Sequence, residues 1–353
     1  LSVASRKTKR NAMKKEESKV IAQKFQKIPN GTLALKHCRA GGTGTTLFGE
    51  QFRAVTAGKE GVMEAYETFP GIEVSFNVFL ASEIKFQHDA SDSVLEIYYC
   101  RSGRVGWNMQ DGTAVYLGTG DVTAHSMACC ADSAMMFPLG YSEGISISVD
   151  LKQLSSICPE VLKNAGVEAD QLRDRFCSGK PSAIPSCSDL EHIFAPLFSA
   201  PVSVRISLLK LKVLEILIYL SNMKSEHKEL TQYFSQQTEL IKEIHQQLTE
   251  HLDQRFTIAE LSKQYLINTS TLKEIFKAVY GQPIATYMKE FRVRQAMKLL
   301  RETNDTIADI ASQVGYQTQG KFSSAFQSIV KMSPREYRKI QGIAPSDSFS
   351  KTL

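Results

Sequence analysis

The strongest constraint on the fold is a segment that occurs twice in the last third of the chain. Thr257-Ile-Ala-Glu260-Leu-Ser recurs as Thr306-Ile-Ala-Asp309-Ile-Ala. A Thr followed three residues later by an acidic residue is a capping box, in which the hydroxyl and the carboxylate each accept a backbone N–H at the start of a helix. The repetition therefore indicates that one small helical unit has been duplicated.

Each copy predicts two short helices joined by a turn, at 265–268 in the first and at 315–317 in the second, where Gly315 supplies backbone freedom. A linker helix over about 284–301 joins the copies. The apolar positions of the first helices are expected to face inward: Ala259, Leu261, Ala308 and Ile310. The same holds for one edge of the second helices: Leu272, Ile275, Phe276, Phe322, Ala325, Phe326 and Ile329.

The run IADIASQVGYQTQGKFSSAF, followed by MSPREYR, resembles the signature of the AraC/XylS family of bacterial transcription regulators. The resemblance spans about 240–340. Its landmark residues are Ala308, Ala311, Gly315, Phe322, Phe326, Pro334 and Tyr337. It implies an all-α domain over 235–342 with two helix-turn-helix units. The linker helix is expected to hold the two units about one turn of DNA apart, a spacing of ~34 Å.

The resemblance implies that the second helix of each unit enters the major groove of double-stranded promoter DNA. The residues expected to read bases are Ser270, Lys273, Glu274, Gln319, Lys321 and Ser324. Gln suits adenine, Lys suits guanine and Glu suits cytosine. The residues expected to bind phosphate, and so to position the protein without specifying sequence, are Thr269, Lys277, Thr318, Lys331 and Arg335.

Two positions depart from the family pattern. Gly320 stands where a side chain is usual at the start of the second reading helix, which removes a contact and weakens the helix by up to ~1 kcal/mol. Lys331 replaces the glycine that usually follows this helix, whereas Gly281 retains it in the first unit. We therefore expect the second unit to read fewer bases and to bind DNA more through charge.

Charge is distributed unevenly along the chain. Residues 1–27 carry nine Lys and Arg against two Glu, and 235–342 carry fifteen basic residues against eleven acidic ones. The formal net charge of the whole chain is only +5, so the stretch between these two segments must be acidic. We therefore expect a polyanion such as DNA to bind the basic segment 235–342 rather than the acidic stretch before it. No apolar stretch follows 1–27, so we expect a flexible arm rather than a secretory signal. Residues 343–353 are expected to form a disordered tail.

The front of the chain, 28–150, alternates short β-rich runs with turn signals. The predicted strands are 72–79, 94–99, 104–109, 114–117 and 145–149. Many short strands at this spacing predict a small barrel or sandwich. The runs LEIYYCRSGRVGW and GTAVYLGTGDVTAH resemble the two conserved stretches of cupin-type sensory barrels. The predicted fold class is therefore α+β multidomain, with an N-terminal cupin-like β-barrel and a C-terminal all-α double helix-turn-helix domain.

A barrel of this size can hold one small ligand. The residues expected to line it are Tyr98, Cys100, Trp107 and His125, although core packing would explain each of them as well. An aromatic wall favours a partly aromatic or apolar effector. The run LEIYYCRSGRVGW is loosely similar to the sensory domains of siderophore-responsive members, and a sugar stays open as well.

An enzymatic role is the main alternative for a cupin-like domain. Catalytic cupins bind a metal through two closely spaced His, a Glu and a later His. Here His88 is followed by Asp89 and Ala90, so the second His is missing. Glu96 and His125 could lie near one another, but one His and one Glu rarely make a tight metal site. We predict no metal, no cofactor and no enzyme activity. Three alternatives stay open. The first is a metal-dependent cupin enzyme fused to DNA-binding domains, and the second is a DNA-repair methyl acceptor, although the clustered cysteines that its zinc site needs are missing here. The third is a DNA-binding regulator whose N-terminal domain serves only dimerisation.

Residues 151–234 change to a helical pattern, with a strongly apolar helix near 204–220. Arg205, Lys210, Lys212 and Glu215 interrupt it, which excludes a membrane span. A helix that is apolar over much of its circumference must be buried, in the monomer or in a homodimer contact, and the resemblance favours the dimer. The seven cysteines show no C-x-x-C spacing, which is typical of a reduced chain. We therefore predict a cytoplasmic regulator, which contacts RNA polymerase if it is an activator.

Overall fold

A computed structural model describes residues 33–37, 53–56, 60–87, 90–130, 133–177, 180–223 and 229–340. The chain forms two compact units, an N-terminal unit, Leu1–Ser235, and a C-terminal unit, Gln236–Leu353. The predicted arm 1–27, the tail 343–353 and the pair His88-Asp89 lie outside the described residues. No helix among the described residues is both long enough and apolar enough to cross a membrane.

The described part of the N-terminal unit contains two β-sheets. The first, in spatial order, consists of β1 (Leu33–His37), β3 (Glu60–Phe69), β4 (Ile72–Leu80), β11 (Ser142–Asp150), β6 (Val94–Gly103), β9 (Val122–Ser126) and β12 (Ser182–Ile184). The second consists of β13 (Tyr233–Phe234), β8 (Thr113–Leu117), β7 (Val105–Asn108), β10 (Ala134–Met136), β5 (Glu83–Gln87) and β2 (Arg53–Thr56). The described strand pairs are antiparallel, apart from the parallel pair β1 and β3.

The expected strand-rich domain is present, and all five predicted strands are found, as β4, β6, β7, β8 and β11. The described strands form two separate sheets and do not close into one barrel. The prediction therefore holds as a β-rich domain with mainly antiparallel sheets, and its cupin-like closure is not confirmed.

The first sheet has two faces of different chemistry, because successive side chains along a strand point to opposite sides. On one face, Leu95 and Ile97 of β6 belong to an apolar core shared with helices. On the other face, Tyr98 and Cys100 of the same strand belong to a second core that includes Trp107 of the second sheet. The space between the two sheets is therefore lined by the even-numbered positions of β6.

Helices cover the first face of this sheet. They are α1 (Leu151–Ser156), α2 (Glu160–Asn164), α3 (Ala169–Phe176), α4 (Ser188–Ser199) and α5 (Arg205–Asn222). Helix α5 is the strongly apolar helix of the sequence, and its residues Leu209, Val213 and Ile216 are buried within the same chain. Leu211, on the opposite side of α5, is 63% exposed. Packing inside the chain thus accounts for much of the apolar pattern of this helix.

The described part of the C-terminal unit is helical. Its helices are α6 (Ser235–Glu250), α7 (Ile258–Gln264), α8 (Thr269–Tyr280), α9 (Ile284–Glu302), α10 (Ile307–Gln313), α11 (Gln319–Val330) and α12 (Pro334–Ile340). Helices α7 and α8 form the first repeat, and α10 and α11 form the second. Helix α9 is the predicted linker, and it ends at Glu302, close to the expected position. The all-α C-terminal domain with two helix-turn-helix repeats is confirmed.

Candidate nucleic-acid interface

Both repeats begin with the predicted capping box. In the first, Glu260 N donates to Thr257 Oγ1 at 3.2 Å, and Thr257 N donates to Glu260 Oε2 at 2.7 Å. In the second, Asp309 N donates to Thr306 Oγ1 at 3.1 Å, and Thr306 N donates to Asp309 Oδ2 at 3.3 Å. Asp309 has a shorter side chain than Glu260, and its hydrogen bond from the N-cap backbone N–H is the longer of the two. In both repeats, residues four positions or fewer apart determine where the helix starts.

The turns of the two repeats share one backbone conformation but use different residues. Leu266 has a φ of 52° and Gly315 a φ of 79°, both in the left-handed region. Leu266 is 94% exposed, so its side chain lies in solvent. An ideal Cβ on Gly315 would lie only 1.9 Å from the carbonyl oxygen of Leu252. Space as well as φ therefore requires glycine in the second turn, whereas the first turn tolerates a side chain.

The inward faces of the two short first helices differ from the prediction at one residue each. Leu261 and Ile310 are fully buried as expected. Ala259 and Ala308 are exposed, so the prediction is wrong at these two positions. Residues two apart on an α-helix point about 200° away from each other. Only one member of each pair can therefore face the core, and the larger side chain does so.

The second helices, α8 and α11, each bury one edge. The predicted inward residues found buried are Leu272, Ile275, Phe276, Phe322, Ala325 and Phe326. Ile329 is 36% exposed, so its predicted inward position is wrong. It lies in the last turn of α11, two residues before Lys331, where the helix ends. The opposite edges of both helices are left to solvent.

All six residues predicted to read bases are exposed on α8 and α11. The hydroxyl of Ser270 is engaged locally, because it donates to Asn268 Oδ1 at 2.6 Å in the N-cap of α8. Apart from its chain neighbours and the backbone of its own helix, no described heavy atom lies within 4 Å of the place where a Cβ on Gly320 would stand. The start of α11, between Gln319 and Lys321, therefore leaves its backbone open to a close approach by another molecule.

The residues predicted to bind phosphate lie near helix ends and on exposed surfaces. Thr269 is the first residue of α8, and Thr318 is the N-cap of α11, whose Oγ1 accepts from Lys321 N at 3.3 Å. Helix N-termini present unpaired N–H groups and the positive end of the helix dipole, which suit a phosphate. Lys277 and Arg335 are exposed, on α8 and α12.

The two second helices end in the same left-handed cap with different residues. Gly281 follows α8 with a φ of 83°, and Lys331 follows α11 with a φ of 67°. Lys331 Nζ donates to the carbonyl oxygen of Ser328 at 2.6 Å, so the ammonium binds the last turn of its own helix. A phosphate contact by Lys331 would compete with this bond.

Arg292 of α9 connects the two repeats within the C-terminal unit, and sequence analysis missed it. Its Nη1 donates to the Gly315 carbonyl in the second turn at 2.9 Å, and its Nη2 donates to the Gln254 carbonyl, ahead of the first repeat, at 3.1 Å. A guanidinium can bridge two carbonyls because its N–H groups form a rigid planar fork. Contacts this distant in sequence leave no local signal.

A cluster of aromatic side chains packs the first repeat against α6 and α9. The ring of His245 stacks on Tyr280, with centroids 4.2 Å apart, and its Nε2 lies 2.7 Å from the hydroxyl of Tyr287. Burial, together with the nearby Arg294 charge, lowers the pKa of His245 to about 4. The imidazole is therefore neutral near pH 7, and it acts as a packed, hydrogen-bonded part of this core.

The four residues predicted to bind a ligand are all buried in the N-terminal unit. The rings of Tyr98 and Trp107 meet edge to face, with centroids 5.1 Å apart, and Trp107 lies 6.3 Å from the ring of His125. Cys100 packs in the apolar core between the sheets, where burial raises the pKa of its thiol to about 12. The structure thus brings three aromatic side chains together and keeps Cys100 as a neutral core residue.

A row of polar side chains, which was not predicted from the sequence, lies beside these rings. Glu96 lies directly opposite His125, and across the next two strands Ser148 lies opposite Glu96 and Glu73 lies opposite Ser148. The row forms because the order of strands in the sheet makes these residues neighbours, and no local sequence pattern predicts that order. Among the described residues, no group of three or more His, Cys, Asp or Glu side chains is arranged to hold a metal ion.

The comparisons with known proteins concern the C-terminal unit. The helix-turn-helix domain family matches residues 261–340. A putative AraC-like transcription regulator of Streptomyces lividans is 39% identical over 84 residues, which are 24% of this chain and 28% of that protein. The transcriptional activator RhaR of Mannheimia succiniciproducens is 34% identical over 91 residues, 26% of this chain and 33% of the relative. The melibiose operon regulatory protein of Escherichia coli is 31% identical over 93 residues, 26% of this chain and 31% of the relative. The chain thus spans about a third or less of these curated relatives.

Solved structures show weaker overall similarity. The DNA-binding domain of AdpA in complex with a target DNA covers 28% of this chain and 90% of its own, with 22% identity and a TM-score of 0.28. Unsaturated fatty acid bound ToxT of Vibrio cholerae covers 77% of this chain and 96% of its own, with 13% identity and a TM-score of 0.31. Scores this low say nothing about the arrangement of the whole chain. The domain match at 261–340, the named relatives and the two capped helix-turn-helix repeats joined by α9 show that the C-terminal part of this chain is similar to the helix-turn-helix domains of AraC-type regulators.

Proposed function

We propose that the chain is a sequence-specific DNA-binding transcription regulator controlled by a small molecule in its N-terminal unit. The observation that carries this proposal is the duplicated helix-turn-helix, in which α8 and α11 each bury one edge and expose a polar one. Matching relatives named as regulators supports the same function. We infer no enzyme activity and no bound cofactor.

In this proposal the exposed edge of α8 reads bases through Ser270, Lys273 and Glu274. The exposed edge of α11 contributes Gln319, Lys321 and Ser324, and its open start at Gly320 favours a close backbone approach. Phosphates are bound by Thr269, Lys277, Thr318, Lys331 and Arg335; at Lys331 the phosphate takes the place of the Ser328 carbonyl. Base contacts specify sequence and phosphate contacts add affinity that depends on salt, so the two sets are separable by experiment.

The first test measures whether the full chain prefers its own upstream control region. Binding to that duplex and to a random duplex of equal length is compared by fluorescence anisotropy at moderate salt. Specific regulators bind their sites about 10³-fold or more tightly than unrelated DNA. Equal affinity for the two duplexes would refute the proposed function.

The second test separates the two classes of contact. Lys273→Ala is expected to relax base preference at one position of the site, at a cost of about 1–3 kcal/mol for the preferred base. Lys331→Ala is expected to weaken binding to all sequences alike and to reduce the slope of log K against log salt by about 1. Lys298→Ala is the matched control, since Lys298 is an exposed lysine of α9 whose nearest acidic partner, Glu302, lies 3.9 Å away. If Lys273→Ala and Lys331→Ala behave alike, the assignment of contacts is wrong.

The regulator is proposed to act in the cytoplasm as a homodimer, and to contact RNA polymerase if it is an activator. Helix α5 is the proposed dimer contact, because Leu211 leaves a large apolar side chain 63% exposed on a helix whose other apolar residues are buried or partly buried. Sedimentation of the wild type and Leu211→Glu tests this: the variant is expected to be monomeric. A dimer in both proteins would place the contact elsewhere.

The effector is proposed to bind between the two sheets, against Tyr98, Trp107 and His125, with Cys100 in the apolar core behind them. Its binding is expected to change the fluorescence of Trp107, which is the only tryptophan of the chain. If no candidate metabolite changes this fluorescence, the N-terminal unit serves dimerisation alone.

A further inference from the structure

A row of polar side chains crosses the inner face of the first sheet. In the strand register, Glu73 of β4 lies opposite Ser148 of β11, Ser148 lies opposite Glu96 of β6, and Glu96 lies opposite His125 of β9. Directly opposite residues on neighbouring strands share a face. All four side chains therefore point to the side on which Tyr98 packs against the second sheet.

Part of this polar face is satisfied by its own hydrogen bonds. Ser75 Oγ donates to Asn77 Oδ1 at 3.0 Å, and Asn77 Nδ2 donates to Ser146 Oγ at 2.7 Å. In the next row, the Ser148 hydroxyl lies close enough to the Glu96 carboxyl to affect its pKa. Ser148 Oγ and Glu96 Oε1 nevertheless have no bond of full hydrogen-bonding geometry, to each other or to another described residue, although Ser148 is fully buried. Unpaired buried oxygens are unfavourable, so a bound donor would stabilise this row.

The electrostatics of the row favour a positive donor. Burial raises the pKa of Glu96 to about 8; the nearby Ser148 hydroxyl opposes this rise and the charge of Glu73 adds to it. A negative ligand would meet two carboxyl groups at this place. A cation would instead favour the ionised form of Glu96 and give the unpaired oxygens charged donors.

Aromatic side chains stand beside this row, and a pocket opens at the residues that follow His125. The faces of tryptophan and tyrosine attract cations, and Trp107 and Tyr98 stand beside this row. A pocket of about 570 Å³ opens at Ser126 and Cys129, which follow His125 along the chain; its lining includes Asp92, Met109, Asp111 and Lys180, and the residues of the row lie outside this lining. Two acidic side chains against one lysine leave this pocket acidic, and its volume suits one small organic molecule.

We propose that this end of the sheet pair binds an organic cation, a primary ammonium or guanidinium compound with a small apolar body. Glu96 is its charged partner, Ser148 accepts a further hydrogen bond, and Tyr98 and Trp107 flank its body. This inference rests on the proposed function, because it names the chemical class of the effector. The sequence favours a siderophore-like or other partly aromatic or apolar effector and leaves a sugar open; this inference gives the effector a positive charge.

The test uses two series of probes that share a body and differ in charge: 2-phenylethylammonium, 2-phenylethanol and 3-phenylpropanoate, and then butylammonium, butanol and pentanoate. Each is titrated into the full chain while the fluorescence of Trp107 is recorded. At least one ammonium compound is expected to give a saturable change, with a Kd about tenfold or more below those of its neutral and negative counterparts.

Variants distinguish recognition by Glu96 from a general charge effect. Glu96→Gln keeps the shape of the protonated carboxyl, so the fold is expected to persist while the Kd for the ammonium compound rises about tenfold or more. Ser148→Ala is expected to raise the same Kd by a smaller factor. Glu160→Gln, which removes an exposed carboxylate from the first turn of α2, is the control and leaves the Kd unchanged.

Three results would overturn the inference: no saturable response to either ammonium compound, equal or tighter binding of an alcohol or a carboxylate, or an unchanged Kd in Glu96→Gln. Binding of an alcohol or a carboxylate alone would refute the charge class and still support ligand sensing. The DNA-binding part of the proposed function is tested separately, since the duplex measurements use no ligand.

Discussion

Replacing Gly315 with alanine tests how strictly the second turn depends on a single residue. Its equivalent in the first repeat, Leu266, shares the left-handed conformation but is 94% exposed. At Gly315 the new Cβ would stand 1.9 Å from the Leu252 carbonyl oxygen and 2.9 Å from the guanidinium carbon of Arg292. A backbone atom cannot give way as a flexible side chain can, so the turn or the segment before the first repeat must move.

The magnitude follows from three contributions. The left-handed conformation costs a non-glycine residue about 1–2 kcal/mol. The smaller entropy of the unfolded alanine chain offsets about 0.4–1 kcal/mol of this. Displacing Arg292 also weakens its bonds to the carbonyls of Gly315 and Gln254, and hydrogen bonds to charged groups contribute about 1.5–3 kcal/mol. Gly315→Ala is therefore expected to lower the free energy of unfolding by about 2–4 kcal/mol.

Leu266→Gly is the matched control, because it changes the same turn position in the other direction. It relieves the left-handed strain, loses some of this to the entropy of glycine, and is expected to stabilise by about 0.5–1 kcal/mol. Urea titrations of the full chain are followed by circular dichroism at 222 nm, and Trp107 fluorescence reports the N-terminal unit separately. A loss below about 1 kcal/mol for Gly315→Ala, or an equal loss for Leu266→Gly, would refute the reasoning.

Two further predictions concern the C-terminal unit. Because the pKa of His245 is lowered from its ordinary 6.5 to about 4, the unfolded chain binds more protons between these values. The unfolding free energy is therefore expected to be fully present above pH 6.5 and to fall by up to about 3 kcal/mol as the pH drops to 4. Urea titrations at pH 7 and 4.5 measure this, and an equal decline in His245→Phe would contradict it. Lys331→Gly is expected to stabilise by about 0.5 kcal/mol, since relief of left-handed strain exceeds the loss of the bond to Ser328; a lower melting temperature would count against it.

The sequence predicts the start of each helix-turn-helix repeat well, because the contacts that decide it are local. Thr257 and Thr306 each bond to an acid three residues away, and this is visible in a single sequence. The same holds for the buried edges of α8 and α11, where the helical period places the large apolar residues on one side. Prediction was wrong at Ala259 and Ala308, since small residues are compatible with either side.

Lys331 shows a different limit of sequence analysis. The departure from the usual glycine was visible, and it suggested a residue free to bind phosphate. The left-handed cap and the bond from its ammonium to Ser328 become visible only when the end of α11 is placed in space. A charged side chain near a helix C-terminus has a local partner available, and charge alone does not indicate which partner it uses.

The amino-acid sequence by itself determined the duplicated helical domain, its caps, its turns and the strand-rich front half, since period, capping residues and glycine act over a few positions. Only tertiary structure decided that Glu73, Ser148 and Glu96 form one buried row, because β4, β11 and β6 become neighbours through sheet order. A shift of one residue in register would turn Glu96 towards the helices. The chemistry between the sheets thus depends on strand pairing, to which distant segments contribute together.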